Sequence, residues 1–291
     1  MMNVLEVNHL RKSFGQKTVL SDVSFEVRPN EIYGFIGGNG QGKTTTMKMI
    51  LGLLKIDAGD VLVSGERVTF GETKTNQNVG YLPDVPQFYE FMTAREYLKL
   101  CADVTNIPKE KSAARIDELL ELVSLSDINT KIKGYSRGMK QRLGVAQALI
   151  HKPRLLICDE PTSALDPKGR RDILSILKSI KHETTVIFST HILSDVEHIC
   201  DRVGILKDGI IVKELDFKKD KLPHGGVILS LDNADATKLS EVLPLEPRGT
   251  QYFIAGIELK ELYEILHAHG VYPSTLEQAR PSLEDIYLEV T

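Results

Sequence analysis

No run of about eighteen apolar residues, the length a membrane-crossing helix needs, interrupts the 291-residue sequence. The opening MMNVLEVNHLRKSF also lacks the basic-then-apolar order of a secretory leader. These absences exclude a spanning helix and secretory export, so the chain is expected in the cytosol. Cysteine is scarce: Cys101, Cys158 and Cys200 lie far apart among apolar neighbours, which excludes a disulfide framework and structural zinc and predicts buried, reduced thiols. Charge of one sign is not in excess, with 36 Lys and Arg against 40 Asp and Glu. That balance excludes nucleic-acid binding driven by overall charge, leaving only a local basic patch. Long single-sign blocks and internal repeats are missing too. What remains is an ordinary globular composition, 42% hydrophobic and 26% charged, enough for one large or two smaller domains.

Glycine is concentrated where it matters. The stretch GGNGQGKTTT, Gly37 to Thr46, sits between the apolar run EIYGFIG and the helical run MKMILGLL. Glycines let successive N–H groups turn inward, and a following helix adds the positive end of its dipole, so the concavity favours an anion. The spacing from Gly37 to Thr44 fits G-x-x-x-x-G-K-[ST]. In that motif the lysine, here Lys43, reaches outer phosphates, and the hydroxyl residue, here Thr44, ligates magnesium.

The stretches NVLEV and VLSDVSFEV alternate apolar and polar residues and predict strands of a half-exposed sheet, with Val23, Phe25 and Val27 on one face. From about Thr93 the period becomes helical. TAREYLKLCADV opens with a Thr93–Glu96 capping box, and ARIDELLELVSL puts Ile116, Leu119, Leu120 and Val123 on one face. RLLIC and TTVIFST are short apolar strands separated by the helix GRRDILSILKSI, the pattern of a parallel α/β sheet. Near KKDKLPHGG the composition turns charged and turn-rich, predicting a linker over 218–224 between a core domain at 1–217 and a small α+β unit at 225–291. In that unit GVILSLD, QYFIAG and GVYPSTL read as strands, ADATKLSEVL and ELKELYEILHAH as helices, and a last helix starts at Pro281 and Ser282. His267 and His269 read as helix-end residues rather than metal ligands.

Two further places carry chemistry. LLICDEP ends an apolar strand with Asp159, placed to reach a phosphate-bound magnesium, and Glu160, placed to take a proton from attacking water. In GYSRGMKQRLGVAQALI, Ser136 and Gly138 precede a helix with Met139, Leu143, Ala146 and Ile150 on one face, a second anion-favouring helix start.

Together these stretches resemble the ATP-binding subunits of ABC transporters over about the first 215 residues, with five motifs in the family's order. GGNGQGKTT resembles the Walker A loop, YSRGMKQR the signature, LLICDEP Walker B, SALD the D-loop and STH the switch histidine. SFG resembles the segment whose aromatic residue, here Phe14, stacks on adenine. RPSLEDIYLEVT resembles the tail of single-domain subunits in the drug and bacteriocin exporter group. The resemblance implies an α/β P-loop ATPase core with an antiparallel β subdomain and a helical insert at about 88–152. It implies ATP and Mg as ligands, with Gly37, Gly38, Asn39, Gly40, Gln41, Gly42, Lys43, Thr44 and Thr45 on the nucleotide. Thr44 and Asp159 would hold the metal, with Glu160, His191 and Lys43 catalytic.

Two copies of such subunits meet head to tail, so Ser136 and Gly138 would cap the partner's γ-phosphate and Asp166 would lie at the seam. The implied function is an ATP-hydrolysing motor, peripheral on the cytoplasmic face of the membrane, driving a separate membrane-spanning subunit in export. A soluble ABC-type ATPase acting on ribosomes or DNA is the alternative, although the second cassette or the long coiled coil of those groups is missing. A regulatory ligand-binding role for the terminal unit stays open.

The chain also departs from the family. Its signature has Tyr135, Ser136, Arg137, Gly138 and Met139 in place of Leu-Ser-Gly-Gly-Gln, so Arg137 either helps hold ATP or is a surface cation. In VGYLPDVPQFYEFMT, Asp84 stands where most members have a metal-sensing glutamine, with Gln87 three residues on. Either could act as the sensor. Gly38 replaces a common proline and Gln41 a common alanine without removing a backbone donor.

Overall fold

The computed structural model describes residues 2–72, 74–126, 128–220, 226–279 and 283–290. Two compact units emerge, Met1–Asp216 and Phe217–Thr291. The expected linker at 218–224 and the expected helix start at Pro281 and Ser282 fall partly or wholly outside the described residues.

The first unit opens with β1 (Leu5–Phe14) and β2 (Lys17–Val27), an antiparallel pair whose inward positions include Val23, Phe25 and Val27. After β3 (Ile32–Ile36) and α1 (Lys43–Ile50) come β4 (Ala58–Val63), β5 (Glu66–Arg67) and β6 (Val79–Leu82). The helices α2 (Ala94–Val104), α3 (Lys109–Leu122) and α4 (Arg137–Leu149) then form the insert. Its first helix starts on both halves of the Thr93–Glu96 capping box, and Ile116, Leu119, Leu120 and Val123 are all buried. The chain returns through β7 (Leu155–Asp159), α5 (Pro167–Ile180), β8 (Thr185–Thr190), α6 (Leu193–Ile199), β9 (Arg202–Lys207) and β10 (Ile210–Asp216).

These strands make one sheet in the order β5-β4-β1-β2-β10-β9-β3-β8-β7-β6. Its β9-β3-β8-β7-β6 half is parallel, while β5, β4, β1 and β2 pair antiparallel. The two halves differ because their sequences do. Every residue of β3, β7 and β8 is buried, as parallel strands covered on both faces require, whereas β1 and β2 alternate buried with exposed positions. Open parallel sheets bind ligands beyond the carboxyl ends of their strands. Here β3, β8 and β7 are neighbours, so the segments following them converge at one edge although they are distant in sequence.

The second unit runs β11 (Gly226–Ser230), α7 (Asn233–Ser240), β12 (Glu246–Arg248), β13 (Gln251–Ile254), α8 (Leu259–His269), β14 (Thr275–Ala279), α9 (Leu283–Val290). Its antiparallel sheet, ordered β12-β13-β11-β14, is a ferredoxin-like split βαβ arrangement with one added helix. Val227, Leu229, Leu239, Ile254, Leu262 and Leu266 form its core.

Two expectations need correction. The strand expected over GVYPSTL begins only at Thr275, because Gly270 is the left-handed cap of α8, at φ 64°, and Pro273 lacks the N–H a ladder needs. The cysteines are free, but only Cys158 is fully buried; Cys101 and Cys200 are partly accessible. His267 and His269 lie in the last turn of α8, where His269 Nδ1 meets the Ile265 carbonyl at 2.9 Å. Among the described residues no helix is long and apolar enough to cross a membrane.

Candidate functional site

The loop between β3 and α1 is built by its glycines. Gly42 caps α1 at φ 108°, a conformation side chains rarely adopt, and a Cβ there would stand 2.5 Å from Leu20 Cδ2. Gly40 is also left-handed, at φ 79°, but a Cβ there would meet only open space. The loop is thus packed against β2 at one glycine and open at the other. The first amides of any helix have no partner within it, so those of Lys43, Thr44 and Thr45 remain available to an anion. The Lys43 ammonium folds back over the loop, donating to the carbonyls of Gly37 at 2.7 Å and Gly38 at 3.3 Å.

The same ammonium lies 3.1 Å from Glu160 Oε1. Glu160 follows the buried strand β7 and holds a left-handed backbone at φ 48°. Its N–H donates to the carbonyl and hydroxyl oxygens of Ser189, both at 3.1 Å. Its other carboxylate oxygen receives His191 Nδ1 at 2.9 Å. Asp159, 3% exposed, accepts a 2.6 Å bond from the Ser189 hydroxyl. The segments after three neighbouring strands thus meet at Glu160, which contacts Lys43 and His191, with Asp159 linked through Ser189.

Within this geometry, residues 20–163 match the protein-family model described as ABC transporter. Across 310 aligned residues the chain is 37% identical to the linearmycin resistance ATP-binding protein LnrL of Bacillus subtilis (strain 168), covering 99% of this chain and 98% of LnrL. It is 40% identical over 220 residues to the bacitracin transport ATP-binding protein BcrA of Bacillus licheniformis, covering 75% and 71% of the two chains. The chain belongs to the ABC transporter ATP-binding proteins. Among solved structures, an ATP-binding subunit of an ABC transporter superposes with a TM-score of 0.67 at 28% identity, covering 91% of this chain and 99% of that one.

In this ABC ATP-binding protein the donor set fits the family's ligands. A glycine-lined helix start with a buried lysine suits phosphate, and the Thr44 hydroxyl with the Asp159 carboxylate offers the oxygen ligands that magnesium takes. Phe14 ends β1 half exposed, with Lys12 Nζ 5.4 Å from its ring centroid.

Ser136 caps α4, its hydroxyl accepting from the Met139 N–H at 3.2 Å, and Asp166 caps α5, accepting from the Gly169 N–H at 3.1 Å. Both caps, with Gly138, line one open cleft of about 870 Å³ that also presents Arg137, Arg142 and Lys168. This cleft is separate from the lysine-centred cluster in its lining residues. Asp84 is drawn elsewhere: Oδ1 accepts from the Ser163 hydroxyl, and Arg137 Nη2 stands 4.0 Å from the same oxygen. Gln87 is exposed.

Two contributors, Ser189 and Tyr81, were not legible beforehand, nor was the contact that Gln41 makes. Ser189 holds Asp159 and Glu160 together. Gln41 accepts from the Asp208 N–H at 2.8 Å, so the β9–β10 turn props the phosphate loop. Tyr81 on β6 has its phenol pushed up to about 12 by burial and then by Asp159, so it stays neutral beside the acids. Ser189 had a sequence signal in its place in STH two residues before the histidine, and Gln41 in its place in the phosphate loop; Tyr81 had none.

Proposed function

We propose that this ABC ATP-binding protein hydrolyses ATP, dimerises on it and drives a separate membrane subunit that exports a drug, peptide or similar compound. The observation that carries the reading is the Glu160 carboxylate, bonded at once to Lys43 at 3.1 Å and His191 at 2.9 Å beside the phosphate loop. Residues Gly37 to Thr45 cradle the phosphates through backbone N–H groups, while Lys43 neutralises charge that builds on them. Glu160 takes the proton of the attacking water. His191 orients Glu160 and stands ready to contact the γ-phosphate. Thr44 and Asp159, with Asp84 as a further candidate, would hold magnesium, which supplies neutralisation of phosphate charge.

Ser136, Gly138 and Asp166 serve a second copy, because their cleft is lined apart from the Lys43–Glu160 cluster and carries cationic side chains suited to another subunit's phosphates. Phe14, exposed at a strand end, offers a ring for adenine. Residues 1–217 act as the ATP-binding domain and 225–291 as an accessory unit, the chain being peripheral on the cytoplasmic face of the membrane. The words resistance and transport in the names of LnrL and BcrA support a transport role over remodelling of ribosomes or DNA.

Replacing Glu160 by Gln tests this. The variant should bind MgATP and accumulate as an ATP-dependent dimer on size exclusion, with turnover reduced by about a hundredfold or more. Monomer alone with ATP, together with undiminished hydrolysis, would remove Glu160 as the base.

A further inference from the structure

The turn that follows β7 is strained and has to be held. Glu160 and Ala164, neither a glycine, both adopt left-handed backbones, at φ 48° and 51°. Such conformations persist only where the surroundings over-determine them. Behind this turn lies a polar cluster, buried at Thr162 and Asp195, that the proposed chemistry does not use. Thr162, 1% exposed, donates its hydroxyl to Asp195 Oδ2 at 2.6 Å. Asp195, also 1% exposed and on α6, has its other oxygen paired with Arg170 Nε of α5. The guanidinium is fixed in turn by Nη2 donating to Ser194 at 2.7 Å.

The placement is what gives the cluster a role beyond packing. Thr162 is two residues past Glu160, and Asp195 is four residues past His191, so one carboxylate ties together the two turns that carry the 2.9 Å Glu160–His191 pair. The Asp195 carboxylate would keep an uncompensated charge without Arg170 and an unsatisfied oxygen without the Thr162 hydroxyl, so both contacts hold it in place. The two turns are therefore constrained to move together.

We propose that Asp195 is a positioning residue that clamps the Glu160 turn to the His191 turn and so sets the geometry of proton abstraction, acting through Thr162 and Arg170. This rests on the reading of Glu160 as the base. Asp195 has no need to touch the nucleotide, so its loss should change the rate and spare the affinity.

The test uses the full chain and four variants: Asp195→Asn, which keeps the shape but discards the charge; Thr162→Val, which removes only the hydroxyl; their double variant; and Glu160→Gln in parallel. ATP turnover gives kcat and KM, titration with MgATP gives affinity, and thermal unfolding reports the folded fraction. Misplacing a catalytic group from a distance can cost up to about a hundredfold, so each single variant is expected to lose about tenfold to a hundredfold in kcat with MgATP affinity unchanged within about twofold. The double variant should lose little more than the worse single one, because both break one clamp.

Thr162→Val guards against a misfolded Asp195→Asn, since it leaves the Asp195–Arg170 pair in place. Unchanged kcat in Thr162→Val and in folded Asp195→Asn, with Glu160→Gln silent, overturns the clamp and leaves the base standing. Affinity and kcat falling together with the folded fraction reduce Asp195 to a structural residue and also overturn it. Undiminished turnover in Glu160→Gln removes the base and the clamp with it.

Discussion

Lys43 Nζ stands 3.1 Å from Glu160 Oε1, joining the phosphate loop to the end of β7 through two side chains that are 7% and 14% exposed. The lysine comes from the segment after β3 and the acid from the segment after β7, and β8 lies between those strands. Replacing Lys43 by Ala removes the ammonium from the Gly37 and Gly38 carbonyls and from Glu160 together. Hydrogen bonds to charged groups are worth about 1.5–3 kcal/mol, so MgATP affinity should fall by about tenfold to a hundredfold. Lys43→Arg should not restore it, because a planar guanidinium does not replace a compact ammonium inside a closed loop. Calorimetric titration checks both, and affinity retained by the alanine variant would detach the lysine from the nucleotide.

Gly42→Ala should damage fold and site at once. Its φ of 108° is costly for any side chain, and the new methyl would stand 2.5 Å from Leu20 Cδ2 and 3.2 Å from Val19 Cγ1. Strained backbone costs about 1–3 kcal/mol, so the denaturant midpoint should drop accordingly and MgATP binding should weaken further. Gly40→Ala, at φ 79° but facing open space, is the control: it shares the strain without the clash and should be milder in stability. Equal losses in the two variants would show that packing against β2 is irrelevant.

His151 makes stability depend on pH. Burial pushes its imidazole below the ordinary 6.5, the Val79 carbonyl at 3.1 Å pulls the other way, and the Arg115 guanidinium adds to the depression. A base whose folded value is lowered binds more protons when unfolded, so it contributes nothing unfavourable above pH 6.5 and costs stability as the pH falls below that value. His151→Gln should therefore flatten the decline in the denaturant midpoint between about pH 7.5 and 5.5 relative to the parent chain. Parallel slopes for the two proteins would assign the acid sensitivity elsewhere.

Much of this architecture was legible because it is local. The all-buried β3 and β7, the glycine spacing from Gly37 to Gly42 and the Thr93–Glu96 cap are each written in a few consecutive residues. The Glu160–His191 pair was legible only as two motifs, since its contact depends on β7 and β8 being neighbours in register, Asp159 opposite Ser189. The β9–β10 hairpin was overlooked although Asp208 and Gly209, at φ 50° and 76°, form the kind of Asp-Gly turn that joins two strands. Its support of Gln41 could not have been read, because 167 residues separate the bonded atoms in sequence. In the second unit the strand at GVYPSTL was misplaced because valine and tyrosine suggested a strand that the Gly270 cap and Pro273 delay.

Asp84 is the departure whose role the surrounding contacts sharpen. Its Oδ1 already accepts from Ser163, in the turn whose Ser163 N–H donates to the Glu160 carbonyl at 3.1 Å, and Arg137 of α4 lies 4.0 Å away. A carboxylate has a second oxygen, so this contact and a magnesium ligand role are compatible. As a metal ligand it adds negative charge beside the phosphates and should make turnover depend more steeply on magnesium than a neutral amide would. Asp84→Ala should then shift the magnesium titration of turnover to higher concentration by about tenfold, while metal-free nucleotide binding changes little. Gln87→Ala, altering an exposed residue, should leave that titration in place. Ser163→Ala separates the two functions of the acid, because it removes the hydroxyl contact but not the carboxylate. A shifted titration in Asp84→Ala alone supports ligation, whereas the same loss of rate in Asp84→Ala and Ser163→Ala, with no shift in either, would make Asp84 a brace for the Glu160 turn and withdraw it from the metal.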